Sequence, residues 1–157
     1  MGGKERQHPV IIRQGTAALQ EVIDHLNACD AHFIPALSTR VSITDYAEKL
    51  HRYAELIEAW SGETLVGLAA IYANQQPSGN AFLSSLSVLK TFQRRGIALQ
   101  LLAKAIPYCR DANVAAISLE VDYRNEAAWR FYAHHGFSVT HEAMPTLTMA
   151  LALNAQP

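Results

Sequence analysis

The sequence predicts an α/β protein with a central mixed, mostly antiparallel sheet flanked by about four helices. Three observations carry this reading. Apolar residues switch repeatedly between alternate and helical spacing, so strands and helices alternate along the chain. Strand-like runs over residues 54–89 follow one another with only turn-type segments between them, a meander that favours antiparallel pairing. A strand, helix, strand succession over residues 81–121 is a βαβ unit and calls for one parallel pair.

The elements follow in order. Residues 10–13 are a short apolar run, read as the first strand. Thr16 is the expected cap of a helix to about residue 28, with Leu19, Val22, Ile23 and Leu26 at helical spacing. DAHFIPALSTRV, residues 30–41, contains Pro35 and reads as a loop with a helical turn. Thr44 is the expected cap of a second helix carrying Tyr46, Ala47, Leu50 and Tyr53. AELIEAW alternates as a strand, Ser61, Gly62 and Glu63 turn the chain, and TLVGLAAIYA returns as a longer, more buried strand. NQQPSGN is a loop by composition and AFLSSLSVL the next strand. Over residues 97–110, Ile97, Leu101 and Ala105 stack beside Ala98, Leu102, Ile106 and Cys109, so this segment is a helix. Pro107 removes one of its hydrogen bonds and predicts a kink or an early end. AAISLEV is a strand, Asn125 caps a helix over 126–135, and Gly136 suits its left-handed end. FSVTHEA and LTMALAL close the chain as an antiparallel pair.

Composition narrows the function classes. A chain of 157 residues, half of them hydrophobic, suits one packed domain over 1–157. A net charge of −1 gives no overall attraction to nucleic acid or to an anionic membrane. Cys29 and Cys109 are far apart, and the seven histidines lack metal-ligand spacing, so neither a disulfide framework nor a metal site is expected. The N-terminal residues hold no apolar signal-like segment and no stretch is long enough to span a bilayer, so a soluble cytoplasmic protein is expected.

One stretch stands out: FQRRGIALQLL, residues 92–102. It joins a strand to a helix at the carboxyl end of the first parallel strand of the βαβ unit, where open α/β sheets bind ligands. A helix start presents unpaired backbone N–H groups and partial positive charge. Gly96 lets another molecule approach the backbone, and Arg94 and Arg95 add cationic donors. These residues fit two readings: a phosphate or pyrophosphate site, or a solvated basic turn whose glycine serves only the loop.

QRRGIA resembles the Q/R-x-x-G-x-G/A signature of the GCN5-related N-acetyltransferases (GNAT), with alanine at the last small position. NEAAWRFYAHHGF resembles the second family segment, N-x-x-A-x-x-x-Y followed by Gly-Phe, on Asn125, Ala128, Tyr132, Gly136 and Phe137. The resemblance implies the GNAT-type acyl-CoA N-acyltransferase fold, with a splayed parallel strand pair, and acetyl-coenzyme A as cofactor. It implies that the backbone of Gln93, Arg94, Arg95, Gly96, Ile97 and Ala98 cradles the pyrophosphate, and that the pantetheine arm pairs with backbone near Leu86, Ser87 and Val88. Asn125 then contacts the arm, and Tyr132 is the general acid for the leaving thiolate. Asn125 and Tyr132 are seven residues apart on one helix face, with Trp129 between them as a further cofactor contact.

The base has no such clear position. Family members often carry a carboxylate on the fourth or fifth strand; the fourth here offers Ser84, Ser85 and Ser87, which leaves Glu120 on the fifth, or a water chain. Acceptor recognition in the family usually involves the loop between the first two helices. That implies Phe33 packing on the acceptor and Arg40 pairing with an acidic group on it, with Tyr72 a further contact and His32, Trp60 and His141 weaker candidates. The expected acceptor is a primary amine of a small molecule such as an amino sugar, amino acid or polyamine. The alternatives are a protein N-terminus, or a non-catalytic acyl-CoA-binding domain. No nucleic-acid, membrane or metal partner is expected, and the chain is expected to be a monomer or homodimer.

Overall fold

The computed structural model describes residues 8–73 and 79–153. Its elements are β1 (Val10–Gln14), α1 (Leu19–Cys29), α2 (Ile43–Tyr53), β2 (Glu55–Ser61), β3 (Thr64–Tyr72), β4 (Ala81–Val88), α3 (Ile97–Asp111), β5 (Ala116–Asp122), α4 (Glu126–His134), β6 (Ser138–Ala143) and β7 (Thr146–Ala152). The seven strands form one sheet in the order β1-β2-β3-β4-β5-β7-β6. β4 and β5 run parallel and the other neighbours antiparallel. The loop expected over residues 74–80 lies mostly outside the described residues.

The central strands are buried on both faces, which their near-continuous apolar runs require. In β3, Val66, Ala69 and Ile71 join the core under α3, while Leu65, Leu68, Ala70 and Tyr72 join the core under α1 and α2. Gly67 lets α3 dock closely: a Cβ there would lie 3.0 Å from Ile97 and 3.1 Å from Leu101.

Two helix starts differ from the sequence expectation. Thr16 does not cap α1; its hydroxyl and amide bond the buried carboxylate of Glu58, at 2.5 and 2.8 Å, and α1 starts after Ala18. The Ala17 amide (3.0 Å) and the Trp60 indole N–H (2.9 Å) donate to the same carboxylate. Glu58 is wholly buried, so it draws every nearby donor to itself and ties β2 to the entry of α1. Ser42, rather than Thr44, caps α2 by accepting from the Asp45 amide. Pro107 does not end α3, which continues to Asp111. Residues 30–41 hold two 3₁₀ turns, at Asp30–His32 and Leu37–Thr39.

Candidate active site

The sheet opens between β4 and β5. The two strands pair only at Ala81 with Ile117 and at Phe82 with Ser118. Beyond Phe82, the edge of β4 that faces β5 has no ladder partner among the described residues. A bulge accompanies the break: Ala70 sits opposite Ser85 and Ile71 opposite Leu83, so Ser84 is an extra residue. Leu83, Leu86 and Val88 therefore face the α3 core, while Ser84 and Ser85 both turn toward α2. The Tyr46 hydroxyl pins the bulge, 2.6 Å from Ser84 Oγ and 3.1 Å from the Ser84 carbonyl oxygen. Ser87 is held from α1. His25 Nδ1 lies 2.9 Å from the Leu65 carbonyl, which can only accept, so Nδ1 carries the proton and Nε2 accepts from the Ser87 hydroxyl at 2.9 Å. Burial lowers the His25 pKa and keeps the ring neutral, in agreement with that tautomer.

The gap belongs to a cavity of about 460 Å³ that crosses the sheet. On the α3 and α4 side it is walled by Leu119, Val121, Asn125, Ala128 and Tyr132; on the other by Phe33, Arg40, Tyr46, Ser85 and Glu120. Tyr132 is 9% exposed, held edge-on between Phe131 and Phe137, and burial pushes its phenol pKa well above the ordinary value, so the hydroxyl stays protonated at neutral pH. Asn125 caps α4 by accepting from the Ala128 amide at 3.2 Å. Glu120 alternates with Leu119 and Val121, which belong to the α3 core, so its exposed side chain points to the opposite face. Next to it, Asp122 is gripped by Arg124 through Nε at 2.9 Å and Nη2 at 2.6 Å, and these hydrogen bonds bring its carboxyl down to about 2. The Ser85 hydroxyl is buried without a hydrogen-bond partner.

The turn before α3 lies at the carboxyl end of β4. Residues 93–96 are exposed, and Arg94 and Gly96 both have positive φ, 65° and 76°, on either side of Arg95. Alternation of this kind gathers backbone N–H groups into a concave surface, next to the unpaired amides of the first helical turn. A Cβ on Gly96 would meet nothing within 4 Å, so the space above it is open. Gln93 donates to the Val88 carbonyl at 3.2 Å, and the Arg95 guanidinium lies over the Phe92 ring at 4.7 Å. Ile97 is buried and Ala98 half-buried, so these two offer the turn their backbone rather than their side chains.

The structure thus brings Phe33, Arg40, Leu86, Glu120, Asn125 and Tyr132 to one cavity. Trp129, Tyr72, Trp60, His32 and His141 lie outside that cavity. Trp129 is turned past the cavity wall formed by Ala128 and Tyr132, and its indole N–H donates to the Tyr123 carbonyl at 2.9 Å. Tyr72 is buried in the core beneath α1 and α2, because its position on β3 alternates onto that face, and Lys49 lies 5.9 Å from its ring. Trp60 is engaged with Glu58, while His32 and His141 are exposed outside the cavity wall. The sequence reading missed Tyr46, Ser85 and the Asp122–Arg124 pair. Tyr46 sits in an apolar helical stripe that reads as core; the DYRN run at the end of β5 was the available signal for Asp122 and Arg124. Among the described residues, no cluster of histidine, cysteine and carboxylate side chains could hold a metal ion, and no helix is long and apolar enough to cross a membrane.

The chain is similar to known proteins in sequence and in fold. Residues 39–137 match the Acetyltransferase (GNAT) family. Over 63 residues the chain is 35% identical to the chloroplastic GCN5-related N-acetyltransferase 4 of Arabidopsis thaliana, and over 62 residues 31% identical to streptothricin acetyltransferase A of Bacillus subtilis. Each match takes in 40% of this chain but only 22% and 36% of those relatives' lengths. The fold superposes on the PaiA N-acetyltransferase of Thermoplasma acidophilum, solved in complex with coenzyme A, with a TM-score of 0.73 at 17% identity, covering 92% of this chain and 99% of that one.

Proposed function

This chain belongs to the acetyltransferase (GNAT) family, and from that premise we propose that it is an acetyl-CoA-dependent N-acetyltransferase acting on a primary amine of a small molecule by direct attack in a ternary complex. The observation that carries the reading is the broken β4–β5 ladder beside a left-handed, N–H-rich turn. Bound acetyl-CoA supplies an activated acetyl group as a thioester. The exposed turn at residues 93–96, with the backbone of Ile97 and Ala98 beyond it, suits its pyrophosphate, and Arg94 and Arg95 add charge. Residues 86–88 offer a free strand edge to the amides of its pantetheine arm.

The chain's own groups then divide the proton work. Tyr132 holds a proton at its hydroxyl and donates it to the departing sulfur. Glu120, facing the opposite side of the sheet, accepts a proton from the acceptor ammonium, because only the neutral amine attacks. The cavity crosses the sheet, so the acceptor can enter from the side of Phe33 and Arg40 while the thioester arrives along β4.

Thermal melting tests the cofactor. Acetyl-CoA at about 100 times its Kd adds about 2.7 kcal/mol, a rise of about 5–10 °C for a domain of this size, and ATP or NAD at equal concentration gives no such rise. An amine panel read as free thiol then tests transfer. Equal stabilisation by ATP, or no thiol release with any amine, would sink the reading.

A further inference from the structure

Resting on the transferase reading above, we propose that the acceptor is a small amino acid: an amine that also carries an anionic group, with Arg40 as the residue that recognises the anion. Four charged side chains line the cavity: Arg40, Glu120, Asp122 and Arg124. Asp122 and Arg124 satisfy each other through two side-chain hydrogen bonds. That pairing leaves one cation and one anion, Arg40 and Glu120, without an ion-pair partner among the described residues. Arg40 lies near enough to help lower the Asp122 pKa, a smaller effect than the hydrogen bonds from Arg124. An acceptor with ammonium and carboxylate groups supplies the missing partner for each.

The rest of the wall describes the body between those two groups. Ile34 and Val41, 43% and 39% exposed, line this cavity together with half-buried Phe33. They suit an apolar side chain. The Ser85 hydroxyl, 94% buried and unpartnered, lines the same space beside the break in the ladder and offers the amine or a water a hydrogen bond. The loop that presents Arg40 is built rather than loose: Ser38 donates its amide (2.7 Å) and hydroxyl (2.6 Å) to Asp30, and the Arg40 amide donates to the Leu37 carbonyl at 3.0 Å.

The step balances. The amine nitrogen forms a bond to the acetyl carbon as the carbon–sulfur bond breaks. Of the two protons the ammonium loses, one leaves to solvent through Glu120, and the other offsets the proton Tyr132 gives to sulfur. The product amide carries no positive charge, so Glu120 no longer holds it, while Arg40 still holds its carboxylate.

The test compares L-methionine and L-phenylalanine with their methyl esters and with spermidine, using acetyl-CoA and thiol release. The esters keep the amine and lose the anion. Their amines are less basic, which favours the esters, so a preference for the free acids isolates the carboxylate. The expected result is a kcat/KM at least about tenfold higher for the acids, the effect of one charge-assisted hydrogen bond. Arg40→Ala should bring the acid-to-ester ratio toward one, and Arg40→Lys should keep part of it. In melts with coenzyme A, the free acids and not the esters should add a further rise. Thiol release that ignores the carboxylate, or an acid-to-ester ratio unmoved in Arg40→Ala, overturns the amino-acid assignment and leaves the transferase reading standing. No release with any amine overturns both.

Discussion

Two buried side chains have outcomes that follow from their surroundings. Tyr132→Phe removes one hydroxyl and keeps the ring packed between Phe131 and Phe137. If that hydroxyl protonates the sulfur, single-turnover rates fall by about 10²–10⁴ while acetyl-CoA affinity, measured by calorimetry, stays nearly constant. Burial raises this phenol above its ordinary 10, so the wild-type rate should show no loss from tyrosine ionisation below about pH 10. A wild-type single-turnover rate in the variant would make Tyr132 a packing residue. His25 gives a stability signature. Its folded pKa lies below the ordinary 6.5, so above that pH both folded and unfolded chains hold a neutral ring. As pH falls below 6.5, the unfolded chain takes up a proton that the folded one refuses, and stability is lost by up to about 1.4 kcal/mol per unit until the folded pKa is passed. Urea unfolding between about pH 7.5 and 5.5 should show this slope, and His25→Gln should flatten it.

At the scale of elements, the position of α3 decides where the turn over residues 93–96 sits, and two glycines act on it differently. Gly67→Ala places a methyl 3.0 Å from the Ile97 side chain and 3.1 Å from that of Leu101, so these side chains, and the start of α3 with them, must give by a few tenths of an ångström. The expected cost is about 1–3 kcal/mol of stability, with weaker acetyl-CoA binding as the turn moves with its helix. At Gly96 a Cβ meets no atom of the described residues within 4 Å, so the intrinsic cost of Gly96→Val is chiefly the left-handed φ, about 1–2 kcal/mol. Its loss of acetyl-CoA affinity by calorimetry should therefore exceed what its change in unfolding free energy explains. Affinity unchanged in Gly96→Val would argue against a pyrophosphate at this turn. These helices and strands were legible in the sequence because their apolar spacing is local. The cap assignments at Thr16 and Thr44 were not: Thr16 is drawn to Glu58, 42 residues away, and the cap of α2 is Ser42, two residues before Thr44.

For the whole molecule, the sheet is two halves, β1 to β4 and β5 with β7 and β6, joined by two residue pairs of one parallel ladder. A ligand lying in the gap ties the halves together. Hydrogen exchange should therefore slow most at β4 residues beyond Phe82 and at the turn over 93–98 when acetyl-CoA is added; protection confined to other surfaces would place the cofactor elsewhere. The sequence by itself determined the alternation of elements, the parallel unit, the glycine turn and the tyrosine on α4, because periodicity and short motifs are written within a few residues of chain. Only the tertiary structure decided which faces meet. The bulge at Ser84 turns two serines to one side, Arg124 takes Asp122, and Arg40 is brought from a distant loop to the cavity that holds Glu120. Trp129 and Tyr72 show the same limit from the other direction. A helix position one residue away, or the alternate face of a strand, moves a side chain out of the cavity, and that choice is made by packing across the sheet rather than by spacing along the chain.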